Sequence, residues 1–141
     1  PLSFGNDYAA VYDATMARFW FLGEKAEAMI LDELSRENLG HVVSHEELAR
    51  WGCDFNDNRY GDIFFLLDPG VLLCPGYMCR KPIAGMHGYT PEDKDSVASF
   101  CSNIELAETP ARLENMREFM EAEIFGNPNS ITDRTETSTS R

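Results

Sequence analysis

The hydrophobic pattern of the first part of the chain predicts a β-hairpin followed by a helix. Residues 9–13 and 16–22 are rich in β-branched and aromatic side chains, and only two residues separate them, which is typical of a tight hairpin. From Glu24 to Glu37 the apolar positions recur with the period of a helix, and acidic side chains occupy the opposite side. Gly40 follows, as is common after the end of a helix.

A second set of elements is predicted in the middle of the chain. His41–Val43 is a candidate for a short strand, and Ser44–Glu47 has the capping-box pattern that starts a helix, here a brief one running to Trp51. The strongest β signal is Asp62–Leu67. A Pro-Gly turn and a second apolar run, Val71–Cys74, come after it and predict a second hairpin.

The last third of the chain has a different composition. Residues 75–93 contain several glycines and prolines and almost no periodicity, which predicts a long loop, and long loops within compact domains are often functional. Thr90 begins a capping pattern that predicts a helix ending near Phe100, and Thr109 begins a second predicted helix with an apolar stripe. Residues 126–141 are mostly small and polar, which predicts a flexible tail.

The order of hairpin, helix, strand, short helix and hairpin predicts an α+β fold. Two of the strand pairs have connections too short for the crossover that parallel strands need. We therefore expect a mixed, mostly antiparallel sheet. We also expect the helices to be packed on one face of that sheet.

Composition narrows the possible functions. With 43% hydrophobic residues, the 141-residue chain can bury one domain's core. Its 24 acidic and 12 basic side chains give a net charge of −12, which argues against binding a nucleic-acid polymer or an anionic membrane surface. No apolar run approaches the ~20 residues that span a bilayer. The four cysteines show no C-x-x-C pair, which leaves buried thiols or one disulfide as alternatives.

The three histidines are the main candidates for metal chemistry. His41 and His45 are four apart, but the predicted helix begins between them, so they do not share a helical face and fit surface or capping roles. His87 differs because Gly85 and Gly88 stand on either side of it, where the missing Cβ atoms allow an ion or anion to approach closely. Since neutral imidazole is a good zinc ligand, His87 is the candidate metal ligand.

Two stretches around His87 resemble a known family. Tyr60–Leu73 and Lys81–Ser96, which contains Gly-Met-His-Gly-Tyr-Thr-Pro at 85–91, are similar to the C-terminal part of the alkaline-phosphatase-like superfamily. The resemblance is closest to the type I phosphodiesterase and nucleotide pyrophosphatase branch, whose members carry a G-x-H-G-Y-x-P-x-D segment after a strand hairpin. Asp13–Phe19 resembles an earlier strand of these proteins, so the similarity runs over Val11–Ser96.

The resemblance implies a metal-dependent hydrolase. In that family two zinc ions clamp a phosphoryl group, a Thr or Ser oxygen attacks it, and the histidine of the motif ligates one ion, which assigns that role to His87. The implied substrates are phosphate esters or nucleotides. The family's nucleophile, early metal-binding Asp and Asp-His-Gly segment lie upstream of the matched region and have no counterpart here. We therefore expect no catalytic residue in this chain, and no activity from the chain alone.

The resemblance also implies a domain organisation. Residues 1–125 would be the C-terminal region of a phosphodiesterase-like domain, a fragment of an alkaline-phosphatase-like α/β fold, with a small strand-helix-strand subdomain at 9–74 and a metal-ligand loop at 75–93. The family favours an exported or periplasmic location. The alternative from another class is a non-catalytic acidic protein-interaction module. In either case an exposed sheet edge offers a route to self-association.

Overall fold

The structure is a computed structural model that describes residues 1–77, 80–103, 106 and 109–126. The chain divides into two compact units, Pro1–Ala98 and Ser99–Arg141. The polar tail predicted at 126–141 lies outside the described residues beyond its first residue. Within the described ranges, no helix is long and apolar enough to cross a membrane, in agreement with the sequence.

The first unit is built on one four-stranded sheet. Its strands are paired in the order β1-β2-β4-β3, and all three pairings are antiparallel, so the sheet is antiparallel rather than mixed. The α+β class and the first hairpin are confirmed. The strands are β1 (Tyr8–Tyr12), β2 (Met16–Phe21), β3 (Gly40–Val42) and β4 (Ile63–Leu67).

Two helices of the first unit form where the sequence predicts them, and both are shorter than predicted. Helix α1 spans Ala26–Leu34. Helix α2 spans His45–Arg50 and begins with the predicted capping box, because the Ser44 side chain accepts from the backbone N–H of Glu47 and the Glu47 carboxylate accepts from the backbone N–H of Ser44. This reciprocal pair explains how so short a helix is defined.

The helices cover opposite faces of the sheet, so the prediction that they pack on one face is wrong. Ile30 of α1 packs with Phe65 of β4, whereas Leu48 of α2 packs with Leu66. Neighbouring residues of a strand point to opposite faces. The physical reason is that β4 is apolar on both faces, and each face needs its own cover.

The second predicted hairpin is also wrong. Val71–Cys74 is fully described, and none of it is in a strand. Strand β4 lies between β2 and β3, so both of its edges are already paired and no returning strand can add to it. Instead, the Leu73 N–H donates to the Ala14 carbonyl at 2.8 Å, at the turn between β1 and β2.

The predicted helix from Thr90 to Phe100 does not form. All of these residues are described, and the segment begins with two successive turns, in which Asp93 N–H donates to the Thr90 carbonyl and Ser96 N–H to that of Asp93. A short segment gains a helix only by packing an apolar face. Val97, near the middle of the predicted helix, is 81% exposed and supplies no such packing.

In the described part of the second unit, α3 (Met116–Phe125) is the one α-helix, and a 3-10 turn at Leu113–Asn115 precedes it. Thr109 does not cap it, because Arg112 is extended (φ −137°, ψ 155°) and the helical backbone starts only after it. The helix buries none of its residues within the described part of the unit.

Strand β1 lies at one edge of the sheet, but little of that edge is open. The Tyr8 carbonyl accepts from Gly5 N–H at 2.7 Å, and the Tyr12 carbonyl accepts from Tyr77 N–H at 2.6 Å. Both ends of the strand are thus bonded within the chain, which limits what a second strand can pair with. Self-association through this edge stays a prediction.

Candidate functional site

His87 lies on an irregular segment of the first unit, after the central strand β4. Its side chain is exposed and lines a cavity of about 240 Å³ that is open to solvent. Tyr89, Asp93 and Asp95 line the same cavity together with apolar side chains that include Leu72. The segment therefore presents an imidazole beside two carboxylates at a surface depression.

Thr15 fixes the backbone next to this imidazole. Thr15 is 5% exposed, and its hydroxyl donates to the Gly88 carbonyl at 2.8 Å. A buried hydroxyl needs such a partner because burying it without one is costly. Thr15 belongs to the turn between β1 and β2, so the sheet holds the His87 loop at the residue that follows the histidine.

The two glycines around His87 are not equivalent. Gly88 has φ +95°, and a Cβ there would lie 3.2 Å from the Thr15 hydroxyl oxygen. Gly85 is outside the positive-φ region, and a Cβ there would meet nothing within 4 Å. The backbone therefore requires glycine only at Gly88, whereas the sequence suggested the same role for both.

Two further contacts tie the surrounding loop to the sheet. The Tyr89 hydroxyl donates to the Val71 carbonyl at 3.0 Å. Tyr77 N–H donates to the Tyr12 carbonyl at 2.6 Å. The long loop predicted at 75–93 is therefore held at several points, although its described residues contain no helix or strand.

Glu92 joins the far end of the loop to α2. Its carboxylate accepts hydrogen bonds from the Thr90 hydroxyl and from Trp51 Nε1, the latter at 2.9 Å, and it lies 3.3 Å from the Arg50 guanidinium. Together these contacts, led by the Thr90 hydroxyl, lower the pKa of Glu92 to about 2. The carboxylate is half exposed, so water screens the Arg50 attraction.

The other two histidines lie away from this loop and are exposed. His41 Nε2 is 3.5 Å from a Glu47 oxygen, and His45 Nδ1 is 3.2 Å from an Asp54 oxygen. Each imidazole therefore has one surface carboxylate beside it. This agrees with the surface roles that the sequence favoured for them.

The described residues fit one position of a zinc site and not a complete one. His87 is accessible and has a carboxylate-lined cavity in front of it. Within 1–77, 80–103, 106 and 109–126, no three His, Cys, Asp or Glu side chains come together closely enough to hold a metal ion. Two zinc ions need several protein ligands each, so a complete site of that kind would need ligands from outside these ranges.

Sequence reasoning missed the residues that hold the loop. Thr15 is 73 positions from Gly88, and Trp51 is 41 positions from Glu92. Neither pair follows a helical or strand period, so no local pattern could have revealed it. The burial of the Thr15 hydroxyl, which requires a partner somewhere in the fold, is seen only in the structure.

Comparisons of the chain with protein-family models, with curated proteins and with solved structures found no match.

Proposed function

We propose that this chain is the C-terminal part of a zinc-dependent phosphodiesterase or nucleotide pyrophosphatase with an alkaline-phosphatase-like α/β fold. The complete enzyme would hydrolyse phosphoric esters or anhydrides, and His87 would supply one of its metal ligands. The observation that carries the proposal is the Gly-Met-His-Gly-Tyr-Thr-Pro segment at 85–91, which is tied to the sheet while its imidazole stays accessible.

The first support is the way in which the imidazole is held. A metal ligand works best when its backbone is fixed before the ion arrives. The Thr15 and Tyr89 contacts fix the backbone on the side of His87 where the chain continues, and the ring itself has room in front of it. An imidazole serving only to pack a loop would instead be covered.

The second support is the charge around the cavity. Asp93 and Asp95 line it with His87, and the whole chain carries a net charge of −12. Such a surface repels a phosphate group unless cations neutralise it. Bound zinc would supply that positive charge and act as a Lewis acid on the phosphoryl oxygens. The resemblance of the sequence to zinc phosphodiesterases and the acidic cavity thus point to the same chemistry.

In this proposal the residues of this chain hold the ion and the loop in place, and none of them attacks the phosphoryl group. His87 would hold an ion, Thr15 and Tyr89 would keep its backbone in place, and the loop would form one wall of the active site. The resemblance implies that the nucleophile and most metal ligands lie upstream of the matched region, so we expect no turnover from the isolated chain.

The test uses the full-length protein that contains this chain. We expect bound zinc and hydrolysis of bis(p-nitrophenyl) phosphate, and we expect His87→Ala to lower zinc affinity by ~100-fold or more, since loss of an outer-shell partner alone costs about 10–100-fold. His45→Ala is the control, because His45 is an exposed histidine like His87 but does not line the cavity. Zinc content and turnover unchanged by His87→Ala would refute the proposal. Zinc-stimulated, His87-dependent turnover by the 141-residue chain alone would show that the site is complete.

A non-catalytic interaction module is the second candidate, and helix α3 with the 3-10 turn before it favours this candidate. Leu113, Ile124 and Phe125 are 86%, 71% and 82% exposed. Apolar side chains so exposed are typical of a surface that another protein covers. On this hypothesis, Ile124→Asp weakens self-association of the chain, as measured by sedimentation. His87→Ala has no effect on self-association or on metal content.

A further inference from the structure

We infer that Thr15 is a positioning residue for His87, and that the turn between β1 and β2 is the platform on which the His87 loop is built. The inference rests on the proposed function only in what His87 binds. The hydrogen bond from the Thr15 hydroxyl to the Gly88 carbonyl, which we call the clamp, is a property of this chain and can be measured without any metal.

The turn between β1 and β2 makes repeated contacts with the later segment. The carbonyls of Tyr12 and Ala14 accept from the N–H groups of Tyr77 and Leu73. The Thr15 hydroxyl then donates to the Gly88 carbonyl. The last residue of β1 and two residues of the turn thus contact the later segment at three points, and the contact at Gly88 is next to His87.

Thr15 is suited to this role because it also belongs to the sheet. Its own carbonyl accepts from Leu67 N–H at 2.9 Å, at the end of the central strand β4. The residue is 5% exposed with the loop in place, so the Gly88 carbonyl replaces water as the partner of its hydroxyl. Movement of Gly88 away from Thr15 breaks this hydrogen bond, which penalises an open loop.

Gly88 completes the clamp from the other side. The close approach to Thr15 is possible because Gly88 has no side chain, as a Cβ would lie 3.2 Å from the hydroxyl oxygen. Thr15 and Gly88 are therefore complementary: one supplies a buried donor, and the other allows the donor to reach the backbone. His87 precedes this bond by one residue, so its Cα cannot swing freely.

The first measurement is the backbone order of the loop in the 141-residue chain. Thr15→Val keeps the shape and removes the donor, and we expect the ¹⁵N order parameters of the His87 and Gly88 amides to fall from about 0.85 to below about 0.6. Thr15→Ser keeps the donor and should restore them. Thr109→Val is the matched control, because Thr109 is an exposed threonine of the second unit. Unchanged order in Thr15→Val would overturn the inference.

The second measurement is zinc dissociation from the full-length protein into excess chelator. Loss of one hydrogen bond of about 1 kcal/mol raises the open population of the loop about fivefold. If release requires His87 to withdraw, Thr15→Val should release zinc about fivefold faster, and Thr15→Ser at the normal rate. A loosened loop with normal zinc release would leave the clamp standing and remove His87 from the metal site. The order parameters therefore test the clamp, and zinc release tests the metal role of His87.

Discussion

Gly88→Ala tests whether the loop is held as described, and Gly85→Ala is its matched control. The two glycines lie on either side of His87, and each receives the same methyl group. At Gly88 the alanine backbone must keep φ +95°, and its methyl group would lie 3.2 Å from the Thr15 hydroxyl oxygen. At Gly85 it enters open space at an ordinary φ. Comparing the two variants therefore separates the effect of backbone geometry at Gly88 from the general effect of replacing a glycine by alanine.

The magnitude follows from three contributions. A left-handed backbone costs an L-residue about 1–2 kcal/mol. Weakening the bond from Thr15 to Gly88 removes about 1 kcal/mol more. Replacing glycine restricts the unfolded chain and returns about 0.4–1 kcal/mol. The expected net loss for Gly88→Ala is therefore about 2 kcal/mol, whereas Gly85→Ala should be neutral or more stable by about 0.5 kcal/mol.

The assay is urea denaturation of the 141-residue chain, followed by tryptophan fluorescence. A lower midpoint at unchanged slope would report a true loss of stability in Gly88→Ala. Part of that loss can appear as detachment of the loop alone, which the order of the His87 amide would register. Equal midpoints for the two alanine variants would refute the assignment of Gly88 as the residue that the clamp requires.

Two further predictions concern the sheet and the far end of the loop. Gly40→Ala should cost about 1–3 kcal/mol or more, because its Cβ would lie 2.3 Å from the Leu66 carbonyl oxygen, and urea denaturation beside the Gly85→Ala control measures it. The pKa of Glu92, lowered to about 2 chiefly by the Thr90 hydroxyl, gives stability that is present above pH ~4.5 and lost as the pH falls towards 2. In a Trp20→Phe variant, in which Trp51 is the remaining tryptophan, the fluorescence should change over that range, and Glu92→Gln should abolish the change. A Glu92→Gln profile like that of the parent would contradict the contact.

The sequence predicted the local elements of the fold better than their partners. The first hairpin and the capping box of α2 were predicted from neighbouring residues, and both are present. The returning strand Val71–Cys74 had the right composition, but β4 was already paired on both edges. Which strand lies beside β4 depends on β3, whose three residues carry little signal of their own. Pairing of this kind is decided by the whole sheet.

The same difference appears at the candidate site. Its centre, His87, was found from its flanking glycines and from a resemblance carried by the surrounding residues. The residues that determine its position were not found, because Thr15 and Trp51 act across the fold. A motif therefore selected the candidate residue, whereas the backbone position of that residue is set by contacts of residues that belong to no motif.

Folding and function are separable at His87 itself, and this makes the proposed role testable. His87 is exposed, and no hydrogen bond or ion pair within the described part of the chain involves its side chain. Its removal should therefore leave the stability of the chain within about 0.5 kcal/mol of the parent. Thr15 and Gly88 behave in the opposite way, since they are needed to shape the loop and have no group that would contact an ion. If His87→Ala removes zinc from the full-length protein while the 141-residue chain unfolds at the same urea concentration, the loss is one of ligation. If the same substitution unfolds the chain, the imidazole is a structural residue and the metal assignment loses its support.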